Sequence, residues 1–259
     1  MTGVRTSAAS RVREIDAGLD VPLRMHPDWA DRWDWLIQGT TWRGAAGDFD
    51  LGLSGGQPVG AVLDRWRSLQ RTLRTGGIVH SRQLHRAAVR IHAQATQGLA
   101  ILDGFDGHHT AGSDLALTVS VADCIPVSIV DPVARTVTLL HAGWRGVAAG
   151  IIERGITIAS RAANGATARL HVHFGPAICG ECYEVGPEVH EQLGLPVPAA
   201  PGPIDLREVG VARAVGAGAL NAAITVSELC TLCESGRPFY SHRAGEAGRQ
   251  MAVLGIRTG

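Results

Sequence analysis

The sequence predicts an α+β domain built on mixed sheets, and three observations carry that prediction. Candidate strands cluster in hairpins instead of alternating one for one with helices. The helical segments recur at irregular intervals between them. No G-x-G-x-x-G stands between a strand and a helix, so the dinucleotide-binding form of a regularly wound parallel sheet is a poor match.

The elements follow in order. Residues 1–25 are polar and rich in Arg, Ser and Ala, the composition of a loosely ordered arm, which leaves residues 26–259 as a single domain. A tryptophan-rich stretch spans 29–42, and a turn-rich loop, DFDLGLSGG, spans 48–56. Val62, Leu63, Trp66, Leu69 and Leu73 recur at helical spacing, so 59–74 reads as a helix. Residues 78–91 contain a strand entering a turn that bears a histidine. Residues 114–121 alternate as a strand, 126–130 make a second, and 136–141 a third across the Asp131-Pro132 turn. Hydrophobic strands therefore flank Cys124. Residues 147–163 read as a helix entered at Gly146 and left at Asn164-Gly165. A strand at 169–174, a short helix at 187–193, a longer one at 206–223 and a strand at 224–227 complete the pattern. His108-His109 falls in a Gly-Asp loop, where solvated rings or a lid element are expected, and His171-x-His173 alternates within a strand.

Composition narrows the chemistry. The 259 residues carry 24 basic and 24 acidic side chains, a balance without the electrostatic footprint that nucleic acid requires. Every basic residue is arginine. Lysine Schiff bases and the Walker phosphate loop are thereby excluded, and any phosphate site must use arginine, histidine or backbone amides. The first 20 residues lack the apolar core of a signal peptide, and no apolar run reaches the length of a membrane span. The expectation is a soluble, cytoplasmic protein acting on a small-molecule substrate, with neither membrane nor nucleic acid as partner. Five cysteines, an odd number, suit thiols or metal ligands in a reducing compartment.

Ala122-Asp123-Cys124 ends one strand, and His141-Ala142-Gly143-Trp144-Arg145-Gly146 ends another. If the intervening segment is a hairpin, both ends share one sheet edge and bring Cys124 to His141. Two chemistries fit the pair: thiolate attack assisted by imidazole, with Asp123 as orienter, or shared coordination of a metal. A third ligand would come from His85, His80 or His92, which spacing does not separate. One thiolate and two imidazoles suit zinc and leave a fourth position open for water or substrate. Cys179-x-x-Cys182 and Cys230-x-x-Cys233 make a rival metal signal, although their separation along the chain exceeds the usual spacing of a zinc knuckle, and two pairs of neighbouring thiols are the default expectation. Arg145, Arg243 and Arg249 are candidate anion ligands, because a guanidinium matches phosphate or carboxylate oxygens bidentately. A multicopper oxidase would need a His-Cys-His run that the sequence lacks, so copper is the less favoured metal.

These residues resemble a known family. Gln83-Leu84-His85, Ala122-Asp123-Cys124-Ile125-Pro126-Val127, the His141–Gly146 hexapeptide, Gly175-Pro176-Ala177-Ile178, Cys182-Tyr183-Glu184-Val185-Gly186, Cys230-Thr231 and the segment 239–250 are similar to motifs of the multicopper polyphenol oxidase or laccase-domain family, much of it now regarded as zinc-dependent purine nucleoside phosphorylases. The likeness runs from about Thr40 to the C-terminus. It implies zinc held by His85, Cys124 and His141, with His85 chosen because it closes the Gln-x-His motif. It also implies an α/β/β/α sandwich like that of cysteine-dependent deamidating toxins. The activities implied are phosphorolysis of purine nucleosides, including methylthioadenosine, and deamination of adenosine. Alternatives are a Cys-His amide hydrolase editing peptidoglycan precursors, a copper polyphenol oxidase, or a metal-binding regulatory module. Three positions depart from the family pattern: Arg86 follows Gln-x-His, Asp50-Leu51-Gly52 replaces Asn-Leu-Gly, and Arg243-Ala244 replaces paired arginines.

Overall fold

A computed structural model describes residues 9–162 and 165–258. The first eight residues of the expected arm, the helix exit at 163–164 and residue 259 lie outside the described residues. Strands β1 (Ser10–Val12), β2 (Ile15–Asp16) and β3 (Leu23–Met25), helix α1 (Pro27–Arg32) and strand β4 (Leu36–Thr41) lead into helix α2 (Val59–Leu73). Seven strands follow: β5 (Gly77–Arg82), β6 (Val89–His92), β7 (Gly98–Asp103), β8 (Gly107–Thr110), β9 (Leu115–Val121), β10 (Ile125–Asp131) and β11 (Thr136–Ala142). Then come α3 (Trp144–Ala148), α4 (Ile151–Ala162), β12 (His171–Phe174), β13 (Glu184–Val185), α5 (Pro187–Leu193), β14 (Gly202–Pro203), α6 (Leu206–Gly216), β15 (Ile224–Ser227) and β16 (Gln250–Ile256). No described helix is long and apolar enough to cross a membrane.

Two seven-stranded mixed sheets form the centre, ordered β1-β15-β12-β10-β11-β8-β6 and β2-β3-β4-β16-β9-β5-β7. Three apolar interfaces stack them into four layers. α2 turns Val62, Trp66, Leu69 and Leu73 onto Ile37, Ile78, Met251 and Val253 of the second sheet. Between the sheets, Val137 and Leu139 pack with Leu117, Val119 and Leu254. On the far side, α4 and α6 cover the first sheet through Ile152, Ile156, Val211 and Ala214. Each fully buried Leu, Ile or Val contributes about 1.5–3 kcal/mol through lost apolar exposure. The order helix, sheet, sheet, helix is the α/β/β/α sandwich.

Several expectations are redrawn. Residues 10–25 are not a loose arm: β1 pairs in parallel with β15, and β2 and β3 join the edge of the other sheet beside β4. The helix expected over 147–163 is two, because Gly150 at φ +81° breaks the run between α3 and α4 in a conformation side chains rarely adopt. The helix expected over 206–223 stops at Gly216, and only a short 3-10 turn at Asn221–Ala223 precedes β15. His108 and His109 lie in β8, not in a solvated loop, and both are buried.

The site is positioned by two crossings between the sheets. Residues 83–88 carry the chain from β5 of the second sheet to β6 of the first, and residues 122–124 carry it from β9 to β10. The β10–β11 register sets Ile125 opposite Ala142, so Cys124 and Gly143 meet at one end of the hairpin. The hairpin expected from the sequence thus delivers both motifs to the same edge.

Candidate metal centre

Each ligand candidate is held by its local backbone. Gln83 acts as a surrogate strand partner: its Oε1 accepts from the Ser120 N–H at 2.8 Å, and its Nε2 donates to the Ser120 carbonyl at 2.9 Å. This amide clamp ties the end of β5 to β9 and gives the Gln-x-His motif its physical basis. Two residues on, His85 turns at φ +55°. The loop is wrapped around the Asp106 carboxylate, which accepts the Leu84, His85 and Arg86 amides at 3.2, 2.8 and 2.9 Å. The same carboxylate accepts a hydrogen bond from His141 Nδ1 at 3.1 Å, and the Asp106 carbonyl accepts the His141 N–H at 2.7 Å. With Nδ1 engaged, Nε2 is the His141 atom left for a metal.

The structure brings His85, Cys124 and His141 together, one donor atom from each lying within 4.8 Å of the others. The His85 and His141 rings stand 4.7 Å apart at 84°. His80 and His92, left open by spacing, are elsewhere: His80 Nδ1 contacts Thr118 Oγ1 at 3.1 Å, and His92 Nε2 contacts His108 Nδ1 at 3.0 Å. Gly143 leaves the space the donors need. A Cβ there would lie 2.9 Å from Cys124 Sγ and 3.1 Å from His85 Cδ2. A thiolate, two imidazoles, a carboxylate behind one of them and a cradle kept clear of side chain together fit a zinc-type ion with one open position.

Electrostatics prepare the donors. Burial pushes the Cys124 thiol up, but the His141 and His85 rings outweigh it and hold the pKa down at about 6. Burial likewise pushes His141 down, whereas Cys124 and Asp106 lift it to about 9. Burial would raise Asp106, yet its bonds to His141 and to the Arg86 and His85 amides hold it below the ordinary carboxylate range. Each partner thus favours the charged form of the other.

Asp123 is not the orienter the sequence suggests. Its carboxylate accepts from Thr231 Oγ1 at 2.6 Å, Ser241 Oγ at 3.0 Å and the Arg243 amide at 2.7 Å, and its carbonyl accepts the Ile178 amide at 3.1 Å. It ties down the loops beside Cys124. Asp106 holds the place behind His141, and the sequence hides it, since Asp103-Gly104 and Asp106-Gly107 read alike as turns.

Two clefts meet at the ligands. One, of about 560 Å³, is walled by Leu53, His80, Ile101, Met251 and Arg249, and the other, of about 430 Å³, by Trp144, Tyr183, Arg145 and Arg243. Both volumes lie in the range of small-molecule sites, about 300–1,000 Å³. The three arginines therefore do not converge. Arg145 stacks over Trp144 and Arg243 over Tyr183 in the second cleft. Arg249 stands in the first, with Nη1 donating to the carbonyls of Glu246, Ala247 and Gly248. His242, which carries no expectation from the sequence beyond membership of the 239–250 motif, borders both clefts.

Comparisons with known proteins identify the family and the fold. The sequence profile described as multi-copper polyphenol oxidoreductase laccase matches residues 38–257. "Purine nucleoside phosphorylase YlmD" of Geobacillus stearothermophilus is 32% identical over 209 residues, 75% of this chain and 73% of that protein. "Purine nucleoside phosphorylase ORF3" of Streptomyces griseus is 32% identical over 86% of this chain and 91% of its own length. "Adenosine deaminase RL5", from an unknown prokaryotic organism, is 34% identical over 65% of this chain and 70% of its own length. The crystal structure of YlmD from Geobacillus stearothermophilus superposes with a TM-score of 0.83 at 29% identity, covering 95% of this chain and all of that one. With the profile spanning most of its length, the chain belongs to the multi-copper polyphenol oxidoreductase laccase family, several of whose members are named as purine nucleoside phosphorylases.

Proposed function

We propose that the protein is a zinc-dependent purine nucleoside phosphorylase whose site also phosphorolyses methylthioadenosine and deaminates adenosine. The observation that carries this reading is the His85, Cys124 and His141 cluster standing where two clefts of unlike character meet. The first cleft offers Leu53, Ile101 and Met251 to a flat apolar base, and the second offers Arg145 and Arg243 to an anion. In phosphorolysis a phosphate oxygen bonds to the ribose C1′, the C1′–N9 bond breaks, and its electron pair leaves with the purine, which takes a proton from solvent. Arg145 and Arg243 hold the phosphate and offset its charge as it approaches the sugar. Asp106 keeps the proton on His141 Nδ1 and so fixes the ring's direction. When bound by His85, Cys124 and His141, zinc supplies a Lewis acid for a substrate oxygen.

The Cys124–His141 pair alone would also suit amide cleavage. His85 beside the same sulfur favours metal instead, because coordination blunts thiolate attack. The test is a nucleoside panel with and without phosphate. Free base and ribose 1-phosphate, formed only with phosphate, support phosphorolysis, and inosine formed from adenosine without phosphate supports the deaminase activity. Absence of turnover on every nucleoside would refute the reading.

A further inference from the structure

Outside the candidate site, Cys179, Cys182, Cys230 and Cys233 gather with all four sulfurs within 4.8 Å of one another. The pairs are remote in sequence, but the fold joins them: Ala177 and Cys230 form a parallel bridge, and the Thr231 amide donates to the Ala177 carbonyl at 3.1 Å. None of the four is in a disulfide. Cys179 Sγ and Cys233 Sγ stand 3.8 Å apart. A tetrahedral ion with Zn–S bonds of about 2.3 Å sets its sulfurs about 3.8 Å apart. Three backbone amides, of Cys179, Leu232 and Cys233, point at Cys230 Sγ from 3.3, 3.4 and 3.5 Å. Amides aimed at one sulfur serve a thiolate ligand, whose charge they share. Each C-x-x-C places two sulfurs on one turn, the usual spacing of a structural zinc site.

We infer that these four cysteines form a second, structural metal site that takes a zinc ion as a closed tetrathiolate. As the ion binds, the four thiols give up their protons to solvent and no electron is transferred. All four positions are filled by protein, so this ion has no open face for substrate. Its effect on the candidate site is mechanical. Ile178, one residue before Cys179, donates to the Asp123 carbonyl, and Thr231, one residue after Cys230, donates to the Asp123 carboxylate. Tyr183, one residue after Cys182, lines the cleft that holds Arg145 and Arg243. The ion would clamp both loops against the residue preceding Cys124.

The test counts metal in full-length protein purified under reducing conditions. Cys124→Ala removes the other site's sulfur, so this variant should retain one zinc per chain. Cobalt loaded into it should give the intense thiolate-to-metal absorption of an all-sulfur tetrahedral site. Cys179→Ser combined with Cys233→Ser should lose one zinc relative to the unaltered chain. Should that variant fail to fold, alkylation of the Cys124→Ala protein decides: the four thiols should resist iodoacetamide until a chelator removes the ion. A Cys124→Ala protein that holds no metal, holds iron in place of zinc, or carries the cysteines as disulfides would overturn the inference. Because these readouts are independent of turnover, they stand or fall separately from the phosphorylase reading.

Discussion

Asp106 grips His141 twice, through Oδ1 at 3.1 Å from Nδ1 and through its carbonyl at 2.7 Å from the backbone N–H. With its second oxygen it also binds the amides of Leu84 and Arg86, on either side of His85. One fully buried carboxylate thereby sets two metal-ligand candidates, one on a strand of the first sheet and one on the crossing between the sheets.

Asp106→Asn should therefore lower metal affinity roughly 10–100-fold, the usual cost of losing an orienting carboxylate. Competition against a chromophoric chelator measures this. Affinity unchanged from the unaltered chain would remove Asp106 from the role.

Gly143→Ala tests the cradle. Gly143 sits at φ −78° and ψ 166°, a conformation alanine accepts, so the backbone is not strained. The added methyl would crowd Cys124 Sγ and His85 Cδ2. Metal affinity should fall by about tenfold or more while the melting temperature moves only a few degrees, and isothermal metal titration beside thermal unfolding separates the two effects.

The split of the arginines makes a kinetic contrast. Arg145→Ala should raise the KM for phosphate about tenfold, equivalent to about 1.4 kcal/mol, with a smaller change in kcat. Arg249→Ala should leave the phosphate KM unchanged, because that guanidinium lies in the other cleft. Steady-state rates over a phosphate series check both.

Acid should weaken the fold well above the carboxylate range. Burial holds His26 and His108 neutral with pKa values of about 3, and His80 and His109 at about 4, a neighbouring histidine adding to the depression in each. The unfolded chain protonates these rings near pH 6.5, so below that it binds more protons than the folded chain, and stability falls as pH drops from about 6.5 to about 4. Each ring contributes a slope approaching 1.4 kcal/mol per pH unit. Urea midpoints at pH 7.5 and 5 measure it, and equal midpoints would contradict it.

Much of the site was legible because it rests on local pattern. The strand runs on either side of the Asp131-Pro132 turn dictate a hairpin, and the hairpin dictates that Cys124 and Gly143 share an end. The α2 stripe was equally plain, since Val62, Trp66, Leu69 and Leu73 cover one helical face. What stayed hidden depends on pairing across long separations. β1 is polar and exposed at two of its three residues, and it becomes a strand only by pairing with β15. β8 is four residues long and reads as a Gly-Asp turn, yet its place between β6 and β11 buries His108 and His109 and sets Asp106 against His141. The role of Asp123 is hidden for the same reason: adjacency to Cys124 says nothing of Thr231 and Ser241, which donate to its carboxylate.

The most direct test removes and returns the metal. Protein stripped by a strong chelator should lose ribose 1-phosphate formation from inosine, regain it when zinc is returned to His85, Cys124 and His141, and fail to regain it in the Cys124→Ala variant. Full turnover by chain shown to contain no metal, or by Cys124→Ala, would contradict the account.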